Sequence, residues 1–566
     1  MRPSTLRSVT PFPCKGEKTL TDPSDKAADS EKPGEHETLR NIGRDGARVS
    51  LAILLSRLTG FLRDMLIAER FGTGAMADLF YVAYRIPNML RELFGEGALS
   101  SAFIPALTQT LKNEGKESAQ KLYTGVLVLL SLILLPVILG GEILAPDILS
   151  LLAPGWAIDP HRKALGALMI RIMFPFLYFI SLSALLMGIF NARRIFFLPA
   201  ASPIAFSLAL ILAALLPKGT FPGPAILVLA FGVLIGGFAQ WAIQWIVNRR
   251  DGLRLTGNYR ISSAWKDEKV RSVLKKILPS IGGLWVTQGN LLIATLFGSY
   301  LATGTIAALY YAMRLIQFPL GLIGAAIATV LLPLLALHAR NDGNGEEKLI
   351  DTLTHGYRAS LFLMLPASAG LVALREPLIR LLFEHGQFDR SSAAMTGLAL
   401  TGYAIGLWSF SGVRIIVRAY YALGDMKTPV WAALAGLLTN LAVSALFTRQ
   451  AGVFALALGI SLGSLVNQGV LFLRLKTALG RHPWEIFGNA PWVLLHSALL
   501  YGAVQASWTW ASPRFASGQT LPLLGLTLGL IAAGTLLYGG MTVLSGVREG
   551  RILKDKLFSL VQRKKR

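Results

Sequence analysis

The sequence is poor in charge, poorest in acid, and nearly without cysteine. Only 15% of its 566 residues are charged, where a soluble protein carries about 25%. Asp and Glu number 32 against 55 Lys and Arg, and Cys14 is the single cysteine. One thiol cannot form an internal disulfide, so a disulfide-stapled secreted domain is excluded and the redox compartment stays open. No GxxxxGK[ST] phosphate loop occurs, no HExxH or Cys/His cluster and no GxSxG elbow, and the seven histidines are scattered. ATP hydrolysis, a bound metal and acyl-transfer chemistry are therefore unsupported. The sequence implies no cofactor and no enzyme.

Apolar sequence is abundant. Hydrophobic residues make up 53% and the mean hydropathy is +0.53. The 56 glycines and 27 prolines are spread through the apolar stretches, which membrane helices tolerate better than soluble ones. This composition excludes a soluble enzyme and a disordered scaffold. Residues 1–47 are polar, without the apolar core of a signal peptide, and read as a disordered extension. From Arg48 onward, apolar runs near the length needed to span a bilayer follow one another at 48–70, 76–110, 120–146, 160–191, 196–217, 224–247, 276–301, 305–338, 350–374, 392–423, 428–448, 452–473, 488–511 and 520–545. The expectation is an all-α polytopic membrane protein of about fourteen transmembrane helices; the runs are too long and continuous for barrel strands.

The formal charge of +23 would suggest nucleic acid in a soluble chain. Here its distribution explains it. Alternate loops carry Lys112 and Lys116, Arg193 and Arg194, the basic segment 249–275, Lys427, Arg474 and the terminal Arg563–Arg566, while 72–75 and 303–305 carry no Lys or Arg. An even number of spans with both termini in the cytoplasm satisfies that asymmetry, and no nucleic-acid partner is needed.

An internal repeat accompanies the spans. Phe80-Tyr-Val-Ala-Tyr-Arg85 resembles Leu309-Tyr-Tyr-Ala-Met-Arg314 at an offset of 229, and Pro199 aligns with Pro429 at 230. Chance likeness between apolar helices is the plainer explanation, but two helix pairs share nearly one offset. The expected organisation is an N-lobe at 48–248, a basic linker at 249–275, a C-lobe at 276–474, each lobe with six spans, then two added helices at 488–545 and a basic tail at 546–566. Both copies have the same membrane orientation, as in parallel transporter repeats.

The residues that carry chemistry are charges inside spans: Arg57, Arg63 and Asp64 in the first, Asp78, Arg85, Arg91, Glu92 and Glu96 in the second, Arg314 with Gln317 in the eighth. A charge at mid-bilayer costs about 2.5–3.5 kcal/mol on insertion scales, so such residues face a partner or a polar interior. Any one arginine could merely pair with a neighbouring carboxylate. As a set, the arginines outnumber their acids, and guanidinium forks suit phosphate. Asp78, Arg85 and Glu96 fall on one helical face. Pro87, and Pro319 with Gly321, are expected to interrupt the two helices beside these charges.

Arg57-Leu-Thr-Gly-Phe-Leu-Arg63-Asp64, then Arg85-Ile-Pro-Asn-Met-Leu-Arg91, then Gly95-Glu-Gly-Ala-Leu-Ser-Ser-Ala-Phe-Ile-Pro105, resemble the opening of the MurJ (MviN) lipid II flippases of the multidrug/oligosaccharidyl-lipid/polysaccharide exporter superfamily. Tyr310-Tyr-Ala-Met-Arg314-Leu-Ile-Gln-Phe-Pro319, Asn191-Ala-Arg-Arg and Tyr421-Ala-Leu-Gly-Asp425-Met-Lys-Thr-Pro429 extend the resemblance over about residues 45–545. It implies a V-shaped pair of lobes around a cationic cavity, and an apolar groove on the last two helices. The implied substrate is lipid II, undecaprenyl pyrophosphate bearing the disaccharide-pentapeptide unit of peptidoglycan, moved outward across the bacterial inner membrane in cell-wall biogenesis. The implied substrate-binding residues are Arg57, Arg63, Arg91 and Arg314, with Asp78, Arg85, Glu96 and Gln317 beside them. Implied partners are membrane lipids and the cell-wall synthesis machinery, with the monomer as functional unit. Met313 and Gln317 stand where some relatives carry acids, which would leave Arg314 less neutralised.

The alternatives are weaker. A drug/cation antiporter of the same superfamily would want an acidic cavity; a lipid-linked glycosyltransferase would want carboxylates on an outer loop, where only 384–389 offers any. A structural scaffold of the division machinery would leave the intramembrane arginines unexplained. If the lobes rock about a central site, loops 72–75 and 301–305 should meet when the cavity faces inward.

Overall fold

The computed structural model describes Pro33 to Asp555 except for 93–98, 157–158, 218, 220–222, 252, 254–260, 339–344, 480–485, 515–519 and 553. Among the described residues every regular element is a helix, the outcome expected where backbone polar groups must be satisfied within the segment.

Two compact units divide the chain, Met1–Leu51 and Ala52–Arg566. The first helix, Pro33–Phe71, starts well before Arg48. Part of the stretch read as disordered is therefore helical: despite Gly43 and Gly46, a polar segment can extend a helix that its apolar half nucleates. Its first described residues are polar and its remainder is the first expected span.

Within the second unit, each apolar run has a helical counterpart. Six described helices are long and apolar enough to cross a membrane, or eight if each of two bent pairs counts as one span. The bent pairs are 347–383, turning by 72°, and Arg390–Ile405 with Leu407–Ala422, turning by 41°. The helix Lys427–Leu479 reverses at Gly452, whose φ of 54° and ψ of −132° are not helical. Carbonyls of Gly436 and Gly463 each occupy the space a Cβ on the other would need, so the two arms pack backbone to backbone through small residues.

Two helices differ from expectation. Ala75–Arg91 runs through Pro87 and Thr305–His338 runs through Pro319 and Gly321 without a break. A proline removes one hydrogen bond and its ring displaces one carbonyl; in a packed apolar helix the neighbouring turns absorb both.

Large aliphatic side chains remain on the outside: Leu139, Ile143, Leu151, Leu212, Leu446, Leu536 and Leu544 are all more than half exposed. Apolar surface on that scale is not left to water in a soluble protein.

Candidate functional site

A charged cluster within the apolar spans joins the first helix to Thr305–His338. Arg63 donates from Nε and Nη2 to Asp64 Oδ1, at 2.9 and 2.7 Å. The other carboxylate oxygen, Oδ2, lies 2.8 Å from Nε of Arg314. Beyond that ion pair, Arg314 donates hydrogen bonds to the Tyr310 hydroxyl and to Gln317 Oε1 at 3.1 Å, and its guanidinium sits 4.8 Å over the Tyr310 ring. Asp64 is buried and serves two arginines at once. This corrects the expectation that Arg314 is poorly neutralised: its counter-ion stands on a different helix from the positions at 313 and 317. One carboxylate against two guanidiniums still leaves the trio with an excess positive charge.

A second group of cations lies near Arg57. Arg414 stands within electrostatic range of both Arg57 and Arg418, and Arg57 and Arg414 are exposed. The Arg57 guanidinium occupies the space a Cβ at Gly321 would take, so the glycine beside Pro319 makes room for an arginine rather than a helix break. Arg414 and Arg418 were not singled out in the sequence; their signal was two arginines one turn apart within an apolar run.

Arg91 is bound into a polar group of its own. Its Nε donates to Asn88 Oδ1 at 3.1 Å, and its Nη2 lies 3.6 Å from Glu92 Oε1. Glu92 also accepts from Asn88 Nδ2 at 3.2 Å and from Gln288 of the helix Glu268–Gly298. Arg85 lies within range of Tyr310, Tyr403 and Glu92, and its buried Nε has no hydrogen-bond partner among the described residues. Glu96 lies outside the described residues. The structure thus brings Arg63, Arg314 and Gln317 together, and places Arg57 and Arg91 in separate groups.

Asp78 has a different use. Its Oδ2 accepts from the Gly304 amide at 2.6 Å and its Oδ1 from the Ala307 amide at 2.8 Å. The carboxylate caps the N-terminus of Thr305–His338, where unsatisfied amides and the helix dipole favour an anion. Both of its oxygens are engaged in this arrangement.

That cap belongs to a seam between the first and second halves of the chain. The Tyr311 hydroxyl donates to the Gly72 carbonyl at 3.3 Å, Thr73 Oγ1 to Ser392 Oγ at 2.7 Å, and the Gln387 amide to the Glu69 carbonyl at 2.7 Å. Gly72 and Gly304 have φ of 58° and 95°, a region that only glycine enters freely. A Cβ at Gly304 would also collide with the Thr73 carbonyl, and one at Gly72 with the Gln387 carbonyl. Loops 72–75 and 301–305 are in contact, as expected for one closed end. Asp389 holds the edge of the seam: its carboxylate accepts from the Ser392 amide at 2.8 Å and the Ser391 hydroxyl at 2.9 Å. Those bonds, the Ser392 amide foremost, keep its pKa below the usual carboxylate range. Among the described residues, no group of three or more His, Cys, Asp or Glu side chains is placed to hold a metal ion.

Several comparisons bear on this arrangement. The family model described as Lipid II flippase MurJ matches residues 67–520. A protein of Vibrio cholerae named a probable lipid II flippase MurJ is 32% identical, covering 91% of this chain and 98% of its own. Another from Burkholderia cenocepacia, named lipid II flippase MurJ, is 33% identical over 90% of this chain and 98% of its own. Among solved structures, a lipid II flippase MurJ in an inward closed conformation aligns with a TM-score of 0.73 at 26% identity, over 88% of this chain and 98% of that one. An inward-facing transporter of the multidrug resistance MATE family shares the fold, with a TM-score of 0.60 at 15% identity, over 77% of this chain and 98% of its own. With the family model spanning most of its length and relatives matched nearly end to end, this chain belongs to the MurJ lipid II flippase family.

Proposed function

We propose that this protein translocates lipid II from the cytoplasmic to the outer leaflet of the bacterial inner membrane by alternating access, without catalysis. The observation that carries this reading is the Arg63–Asp64–Arg314 trio, one buried acid shared by two arginines drawn from both halves of the chain. A pyrophosphate cannot enter hydrocarbon unpaired, since burying an isolated charge costs many kcal/mol. Guanidiniums already held in place can take over its hydration, bidentately and at little cost in ordering. Arg57, Arg85 and Arg91, with Gln317, complete the cationic lining; Glu96 is the acid proposed beside them, and Asp78 supports the site through the helix it caps. The prenyl tail stays in lipid along Ala490–Ala511 and Thr520–Leu544.

The proposed topology has fourteen spans, six in each of two repeated lobes and two more at the C-terminal end, with both termini cytoplasmic. Three facts support the repeat. Asp78 bonds Ala307, 229 residues on; Tyr81 stacks on Tyr310 at 3.9 Å, again 229 apart in sequence; and Asp159 and Asp389, 230 apart, both cap the helix that follows them. In this topology the seam is the outer gate, closed here, and the site opens inward, where lipid II is made. An inside-negative potential would return the empty positive site inward, by about 2.3 kcal/mol per full charge per 100 mV; bound pyrophosphate offsets that bias. The protein acts as a monomer, beside the cell-wall synthesis machinery.

Conditional depletion tests the reading. Lipid II should accumulate on the cytoplasmic leaflet and be cleared by the wild-type chain but not by Arg63→Ala or Arg314→Ala. Clearance by both variants would exclude the arginine site, and accumulation of a different lipid-linked precursor would exclude lipid II.

A further inference from the structure

A cavity of about 320 Å³ opens between the two arms of Lys427–Leu479, lined by Lys427, Thr428, Trp431, Val470 and Arg474. It is remote in sequence from every arginine of the proposed transport site and lies at the open end of the hairpin, opposite its reversal at Gly452. Both cations are exposed, and among the described residues neither has a carboxylate within ion-pair distance. Asp425, the acid just before the first arm, lies within electrostatic range of Lys427, but its oxygens are taken up by the start of the helix. Its Oδ1 accepts from the amides of Lys427 and Thr428 at 2.9 and 3.0 Å, and its Oδ2 from the Thr428 hydroxyl at 2.5 Å. Those bonds hold its pKa below the usual range.

The corresponding place in the first half of the chain is built from different residues. Lys427 corresponds to Phe197 at the offset of 230, and Arg474 to Val247 at 227, the offset of the second arm, since Gly236 packs on Phe206 as Gly463 packs on Gly436. Gln244 is buried and donates to Ser183 at 2.9 Å and Ser202 at 2.7 Å, so a polar knot fills the space between the equivalent helices. An exposed valine thus stands where the second half has an exposed arginine, and a phenylalanine where it has a lysine, so this pair of cations belongs to the second half of the chain.

Its rim is apolar and turned outward. Met426, Trp431 and Leu473 are each about two-thirds exposed. Two cations beside an exposed indole and aliphatic side chains, at the end of an apolar helical hairpin, suit an amphiphile whose charge sits at the membrane surface and whose chains run along the helices. A soluble anion would gain nothing from the apolar rim.

We propose that the Lys427–Arg474 pocket binds the phosphate headgroup of an anionic phospholipid in the adjacent leaflet. Only the identity of that leaflet, the cytoplasmic one, rests on the topology proposed above. The phosphate would sit between the two cations, with Trp431 at the depth of the glycerol backbone.

The test uses the full chain in vesicles containing brominated phosphatidylglycerol or brominated phosphatidylcholine. Quenching specific to Trp431 is the difference between the wild-type chain and Trp431→Phe. Phosphatidylglycerol should half-quench it at a mole fraction about tenfold lower than phosphatidylcholine does. Lys427→Gln with Arg474→Gln should erase that preference, whereas Lys266→Gln with Lys275→Gln should keep it. Both altered pocket side chains are exposed, and an unchanged elution profile checks that the variant is folded. Equal quenching by the two lipids, or a preference that survives the pocket variant, would overturn the proposal. So would a preference erased by millimolar inorganic phosphate, which would mark a soluble-anion site instead.

Discussion

In the repeat proposed above, the helices Ala75–Arg91 and Thr305–His338 are equivalents, yet they meet on unequal terms. Asp78 of the first caps the second, whereas Ala307, its counterpart, has no side chain to return the bond. Tyr81 and Tyr310 meet face to face, as equivalents can across a shared axis. The arginines diverge again: Arg314 is ion-paired with Asp64 at 2.8 Å, while Arg85 has no ion pair among the described residues. On that proposal, two copies of one frame keep their packing contacts and divide their charges. A lipid-linked pyrophosphate has no two-fold symmetry, so a transport site for it gains from unequal halves, whereas the gate has to close evenly.

The evenness of the gate gives the largest effect. Thr73→Cys with Ser392→Cys, in a Cys14→Ser background, replaces two hydroxyls 2.7 Å apart across the seam. Oxidation should lock this end shut and abolish lipid II translocation, and reductant should restore it. Gly304→Cys is the wrong choice for such a bridge, since Gly304 needs positive φ and has no room for a Cβ. Flipping by the oxidised double variant would show that this seam does not have to open.

The unequal charges come next. Asp64→Ala leaves Arg63 and Arg314 facing each other without their acid. Removing one partner of a buried ion pair costs about 3–5 kcal/mol; the lower end is expected because the Arg314 side chain is 31% exposed. Thermal unfolding should show that loss, and Arg85→Ala, which breaks no ion pair, should unfold near the wild-type temperature. Equal losses in the two variants would remove the distinction between the arginines.

Asp78→Ala should be milder in stability and specific in conformation. It strands two amides at a helix N-terminus, worth about 1–3 kcal/mol, and it weakens one side of the gate only. Cysteine labelling at Thr303, from outside the cell, should quicken in this variant. An unchanged rate would mean that the cap stabilises the helix without holding the gate.

Much of this was legible in sequence, and the rest failed for identifiable reasons. Helical spans announce themselves because apolar length is a local property, and the proposed repeat rests on the similar neighbours of Arg85 and Arg314. Asp64 looked like a local partner of Arg63; that it also serves Arg314 depends on how distant helices pack, which no spacing encodes. Asp78 read as a charge within a span, with nothing in its own helix to tell that it caps another. Pro87 and Pro319 misled in the other direction, since a proline's lost hydrogen bond is visible in sequence and the packing that absorbs it is not.

The smallest effect is expected where the lobes agree. Asp159 accepts from the amides of His161 and Arg162 at 3.1 and 3.0 Å, and Asp389 accepts from Ser392 in the same way at 2.8 Å. Replacing an N-cap acid by alanine costs about 0.5–2 kcal/mol, and solvent exposure puts Asp389 at the low end. Asp159→Ala and Asp389→Ala should therefore lower the unfolding temperature slightly and by similar amounts. For Asp389 the pH dependence follows from its depressed pKa. The carboxylate is stabilised in the folded state, so its contribution is complete above the unfolded value of about 3.9 and is lost as pH falls through the lower folded value. Wild type and Asp389→Ala should differ by a constant amount from neutral pH down to about 5 and converge below that as the carboxylate protonates. A difference that instead grew on acidification would show that Asp389 stabilises the seam through a partner other than the amide and hydroxyls it accepts from here.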